Sequence, residues 1–248
     1  MPRQKLKQAP LQEVIFELSW DLPLDESGFP HDLGFEMAQG VFASKIKKDF
    51  PVQKRLLPNF SGLRIHPILV HQFWKDEITW PVIQLGPGLL TVNDTDKNYV
   101  WKDNFQLNVE KAIAALRNSY EQEPKIQRVK LQYIDAVEFI PEDHTVADFL
   151  KLNMKTELIN HYRSYGRPRD IHIGQTFNLE MDSILNLNIQ SGIHNKTGNP
   201  AIIWTTAIER TTGLDFINLF EWLEYSHQKA SETFVNMLNP DFYDTFDN

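Results

Sequence analysis

The chain contains no cysteine. That excludes thiol nucleophiles, iron–sulfur clusters, disulfide staples and every zinc site that uses sulfur, and it fits a reducing compartment. Long apolar runs are missing too, and none approaches the ~20 residues that a bilayer span requires. The basic start MPRQKLKQAP leads into EVIFELSW, where two acids and a tryptophan interrupt the apolar stretch that an export signal would need. No export signal and no membrane partner are expected, and the cytoplasm is the expected location. Positive charge is in deficit: 25 Lys and Arg stand against 33 Asp and Glu, a net charge of −8. Nucleic acid is thereby disfavoured as a partner, because its binding rests on neutralising phosphates.

What is present is enough for a large core: 248 residues, 42% hydrophobic and 12% aromatic. EVIFELSW alternates Val14, Phe16 and Leu18 with Glu13, Ile15 and Glu17, the period of a half-buried strand. Between His31 and Phe50 the residues Phe35, Ala38, Phe42 and Ile46 fall on one helical stripe, and Pro51 follows where a helix should stop. Strands are predicted over about 62–74, 77–85, 88–94 and 97–102. Phe105, Val109, Ile113, Leu116 and Tyr120 then mark a second helix, ended by Pro124. The order restarts with a strand at 128–140, a helix over about 145–162, strands near 170–180, 183–193 and 200–210, and a last helix after Gly213. The expected fold is α+β: two pseudo-repeated β-α-β(3–4)-α units, 1–125 and 126–248. Together they form a curved antiparallel sheet with helices on one face, as one continuous structural unit. This element order is similar to that of the TATA-binding-protein-like fold in topology only; it implies nothing about activity.

Gly86-Pro87-Gly88 invites a phosphate-loop reading, but a Walker loop needs Lys-Ser or Lys-Thr opening a helix, and Leu89-Leu90-Thr91-Val92 reads as another strand. Pro87 sets φ at the first central position of a turn and Gly88 permits positive φ at the second, so a hairpin is expected. Asp94, Asp96 and Asn98 resemble the start of a calcium loop, but Tyr99 stands at the required glycine and Phe105 at the required glutamate. The eight histidines show no metal-ligand spacing, and no G-x-S-x-G elbow occurs. No metal, cofactor or catalytic residue is expected from motifs.

Three groups of candidate site residues remain. On the last helix Phe216, Phe220, Leu223, His227, Ala230, Phe234 and Met237 form a seam at steps of four and three. Glu224 lies one turn before His227, so the two make a candidate polar site. Trp222 and Tyr225 lie off the seam, and Phe242, Tyr243 and Phe246 interleave with acids in the tail. These five aromatic residues are the candidate partner-binding group. The segment HYRSYGRPRD sets Tyr162 and Tyr165 beside Arg163, Arg167 and Arg169, a mixture suited to an anionic ligand.

PLQEVIFELSW at the start, QLGPGLLTVN with Tyr99-Val100-Trp101 in the middle and WLEYSHQKASETFVNMLNPDFYDTF at the end resemble a sporadically distributed bacterial family with no known catalytic residues. The resemblance covers nearly the whole chain and implies an accessory role, of the kind played by phage-defence genes. The expected function is therefore non-enzymatic recognition of a protein partner in a bacterial defence or toxin–antitoxin context. The sheet face or the terminal helix is the expected docking surface, and a homo-oligomer is the other form such binding would take. The alternatives are a hydrolase or nuclease assembled from distant carboxylates and histidines, and a nucleic-acid-binding module built on the three arginines.

Overall fold

The computed structural model describes residues 6–57, 68–95, 99–140, 145–159, 170–194 and 197–247. The chain is α+β. Its strands are β1 (Leu11–Trp20), β2 (Val52–Arg55), β3 (His71–Trp74), β4 (Val82–Gly86), β5 (Leu89–Asp94), β6 (Ile126–Glu138), β7 (His172–Leu179), β8 (Ser183–Ile193) and β9 (Pro200–Arg210). Among the described residues five α-helices accompany them: α1 (Phe35–Ile46), α2 (Leu107–Arg117), α3 (Val146–Asn153), α4 (Leu219–Met237) and α5 (Pro240–Asp244). The strands form one antiparallel sheet in the order β2-β3-β4-β5-β1-β6-β9-β8-β7.

Two compact units divide the chain. The first comprises Val14–Leu131 and Glu209–Phe220; the second comprises Met1–Glu13, Gln132–Ile208 and Glu221–Asn248.

In the first unit, pairing carries the strand period across the sheet. Phe73 lies opposite Ile83, Ile83 opposite Val92 and Val92 opposite Phe16. All four are buried, because paired residues point to the same face. Helices α1 and α2 cover that face: the fully buried Phe42 sets its ring 5.3 Å from that of Phe73. On the opposite face Gln72, Gln84, Thr91 and Glu17 lie in register. Their side chains answer one another. Gln72 Nε2 donates to Gln84 Oε1 at 2.9 Å, and Gln84 Nε2 donates to Thr91 Oγ1 and Asn93 Oδ1, both at 3.2 Å. Glu17 takes Arg128 and, at 3.2 Å, Lys130 as ion-pair partners.

The second unit follows the same rule. Ser183, Leu185, Leu187 and Ile189 of β8 and Ile202, Trp204 and Thr206 of β9 are buried on one side. The Trp204 ring stacks on Phe234 of α4 at 6.3 Å.

Several elements differ from expectation. The predicted strand at 97–102 gives way to a π-helical turn, Trp101–Gln106, leading into α2. Trp101 and Phe105 are buried there, a spacing that fits a wide helical turn as well as a strand. Strand β2 went unpredicted because Val52-Gln53-Lys54-Arg55 is mostly exposed and short. The helix expected to reach residue 162 stops at Asn153, where the next residue, Met154, adopts extended backbone and bridges Leu238.

Gly86-Pro87-Gly88 is the hairpin turn between β4 and β5, with Gly86 paired to Leu89 and Gly88 at φ +69°. Gly86 answers a separate demand: a Cβ there would lie 1.8 Å from the carbonyl oxygen of Ile68. Gly88→Ala is expected to cost about 1 kcal/mol through its positive φ. Gly86→Ala should cost more, because backbone must move to admit the methyl group. Chemical denaturation of both variants checks the order, and an unchanged midpoint for Gly86→Ala would contradict it.

Candidate recognition surface

The terminal helix was the first candidate. Trp222 is fully buried, and its indole Nε1 donates to Ser183 Oγ at 3.0 Å. Leu223, Ser226 and Ala230 are buried with it, so the inner face of α4 includes Leu223 and Ala230 of the seam read from the sequence and extends beyond that seam to Trp222. Tyr225 is half-buried, with the ammonium of Lys229 5.7 Å from its ring centroid. The tail folds back onto its own unit. Phe242 meets Phe149 edge-on at 5.7 Å and Phe246 at 5.0 Å, while Tyr243 meets Phe234 at 6.0 Å. Asn239 Nδ2 donates to the carbonyl of Leu152 at 2.8 Å, which ties the tail to the end of α3. These aromatic side chains make intramolecular packing.

His227 faces inward. Its Nδ1 lies 2.8 Å from Tyr133 Oη, which fixes the ring; Glu224, a turn earlier, is exposed. Nearby in sequence to Tyr133, on the same side of β6, Asp135 is only 5% exposed, and burial pushes its carboxyl up to about 7. The Trp204 indole opposes that rise, but its N–H reaches hydrogen-bond geometry with no described acceptor. Sequence reading missed Asp135 because in RVKLQYIDAVEFI it occupies an inward position of a strand otherwise read as apolar. A buried carboxyl whose proton is held this far above the ordinary carboxylate range makes stability depend on pH.

The remaining candidates fall as follows. Tyr162, Arg163, Tyr165, Arg167 and Arg169 lie outside the described residues, as do Asp96 and Asn98. Asp94 is fully buried and accepts from Thr95 N at 2.8 Å and Asn104 Nδ2 at 3.2 Å. Among the described residues no group of three or more His, Asp or Glu has metal-binding geometry, and no helix is long and apolar enough to cross a membrane.

A line of exposed apolar residues lies instead on and before α1. As the sequence indicates, Phe35, Ala38, Phe42 and Ile46 are buried. Leu33 and Met37, each 79% exposed, and Val41, 39% exposed, form a second line at spacings of four. At about 100° per residue Met37 and Val41 of α1 fall on the side of the helix away from the buried stripe, and Leu33 lies in the turn that leads into it. Gly40 lies beside it, and a Cβ there would meet nothing within 4 Å. Just upstream, Leu24 is 67% exposed in a loop closed by its bridge to Pro30 and by Asp25 Oδ1, which accepts from the backbone N–H of Ser27 and of Phe29. At the other end Lys45, Lys47 and Lys48 are exposed. The i, i+4, i+8 spacing of Leu33, Met37 and Val41 was the sequence signal that could have found this line; the stronger inner stripe masked it.

Two outcomes follow from the buried groups. The folded state holds a proton on Asp135 that the unfolded chain releases near pH 4, so this group's contribution to stability falls as pH rises from about 4 to about 7 and is level above that. Asp135→Asn should therefore melt higher than the unaltered protein at pH 8, with the gap narrowing at pH 5; a gap independent of pH would contradict this. Trp222→Ala, which empties a closed site, should cost about 3–5 kcal/mol in denaturant unfolding, and a loss below about 1 kcal/mol would show the site to be open.

Compared with protein-family models, curated proteins and solved structures, the chain matches none.

Proposed function

We propose that this chain is a non-enzymatic recognition protein that binds a protein partner through the outer face of α1. The observation that carries the reading is the second apolar line of a two-sided helix, Met37 and Val41, with Leu33 in the turn before it, turned to solvent away from the stripe that anchors it. A helix with one core-facing stripe ordinarily carries polar residues on its far side. Contiguous apolar surface left in water is the usual mark of an interaction site. The absent side chain at Gly40 lets a partner backbone approach closely, and the three lysines at the C-terminal end favour an acidic flank. The partner this surface fits is an amphipathic helix with an apolar face and an acidic end.

By contrast, the polar groups on the sheet face of the first unit bond one another from Trp74 through Gln72 and Gln84 to Thr91. A surface whose donors and acceptors are already matched gains less from a partner. The bacterial defence or toxin–antitoxin setting, and the cytoplasm, are where the family resemblance would put such a role. An origin by internal duplication is supported by the sheet order: in each half the first strand, β1 or β6, lies beside the last, β5 or β9, and the rest follow in descending order.

Affinity capture from the source organism with unaltered protein and with Met37→Glu tests the reading. A stoichiometric protein partner should be retained by the former. Its affinity for the variant should be at least tenfold weaker, the scale of a central contact residue, with the melting temperature nearly unchanged because Met37 is exposed. Equal retention by both proteins, or no stoichiometric partner for either, would overturn it.

A further inference from the structure

Strand β7 ends the sheet order, and its residues from His172 to Leu179 are exposed except for the half-buried Ile173 and Leu179. Natural edge strands are blunted by charge, proline, bulges or brevity, because their unpaired backbone groups invite a further strand. The sequence HIGQTFNL has none of these features: it is eight residues long, free of Lys, Arg, Asp, Glu and Pro, and pairs with β8 in continuous register. The other edge, β2, is four residues with Lys54 and Arg55.

The register determines which backbone groups point outward. Ser191 N donates to Ile171 O at 3.0 Å and Ile171 N donates to Ser191 Oγ at 2.9 Å, so Ile171 bonds toward Ser191 inside the sheet. Hydrogen bonding alternates along an antiparallel pair. Ile173, Gln175, Phe177 and Leu179 therefore bond toward β8, while His172, Gly174, Thr176 and Asn178 turn their N–H and C=O groups to the side on which, among the described residues, no strand pairs.

The side chains carry the complementary information. From Ile171 to Leu179 the residues on the helix-covered side read Ile171, Ile173, Gln175, Phe177 and Leu179, which is symmetric in polarity about Gln175. An antiparallel copy centred on Gln175 sets Ile173 against Phe177 and Ile171 against Leu179 of the other copy. On the other side it sets His172 against Asn178 and Gly174 against Thr176. In this register every outward-pointing residue meets an outward-pointing residue, which permits about eight backbone hydrogen bonds across the edge. Phe177, 46% exposed at present, would pack on a β-branched neighbour. Like charges meet only beyond the strand ends, where Asp170 faces Glu180, and this confines the pairing to β7.

We propose that two copies of this chain associate through β7, antiparallel and centred on Gln175, so that the sheet continues from one copy into the other. This surface shares no residue with the outer face of α1, and the two readings stand or fall separately.

The test is the mass of the full chain in solution, measured by light scattering and sedimentation over a range of concentrations. The unaltered protein should move from 28.9 kDa toward twice that mass. Gln175→Lys and Gln175→Glu each bring like charges together across the symmetry axis and should weaken association at least tenfold. Both should keep the circular dichroism of the unaltered protein, since Gln175 is exposed. Mixed one to one, the two variants should associate again. An unaltered chain that stays at 28.9 kDa at every concentration overturns the proposal. So does a dimer that both variants leave intact, or a mixture that does not recover.

Discussion

The contact between Phe42 and Phe73 sets the rotation of α1 about its own axis, and which residues of the helix face solvent depends on that rotation. Phe42 is fully buried and its ring lies 5.3 Å from Phe73. Phe35 lies against His71 on the same strand, with centroids 6.3 Å apart. Burying a phenylalanine of this kind is worth about 1.5–3 kcal/mol, so two of them hold the helix against a turn about its axis. Met37 and Val41 are then bound to face water, because residues two or six positions from a buried one lie near the far side of a helix. The exposed line is a consequence of the anchored one.

The same opposition of faces governs the second unit, with a different result. There α4 brings Trp222, Leu223 and Ala230 to the core, and the tail closes over Phe149 and Phe234. The aromatic residues that make the C-terminal sequence conspicuous are spent on this closure. Asp135 marks how complete it is, because a carboxyl keeps its proton up to about pH 7 only where water is excluded.

Regular elements with a strong period were legible in the sequence. Val14, Phe16 and Leu18 announced β1, and Phe35, Ala38, Phe42 and Ile46 announced α1. Gly88 announced the turn its φ of +69° requires. What could not be read was which of two apolar lines on a helix faces inward. In α4 the seam through His227 supplies Leu223 and Ala230 to the core, yet Trp222 beside that seam is buried too, because burial follows what the sheet beneath presents: Ser183 Oγ sits where the indole N–H can reach it. In α1 the inner line was read and the outer one passed over. The edge role of β7 was likewise invisible in its composition, since a strand is an edge only by virtue of where the others pair.

The central claim is that the outer face of α1 is a contact surface. A photo-reactive amino acid placed at position 37 tests it most directly, with the same probe at Ile217, an apolar residue of the same unit that is 88% exposed, as the control. Irradiation in cells of the source organism should give one discrete heterologous adduct from position 37 and none from position 217. Adducts from both positions alike, or from neither, would contradict the account.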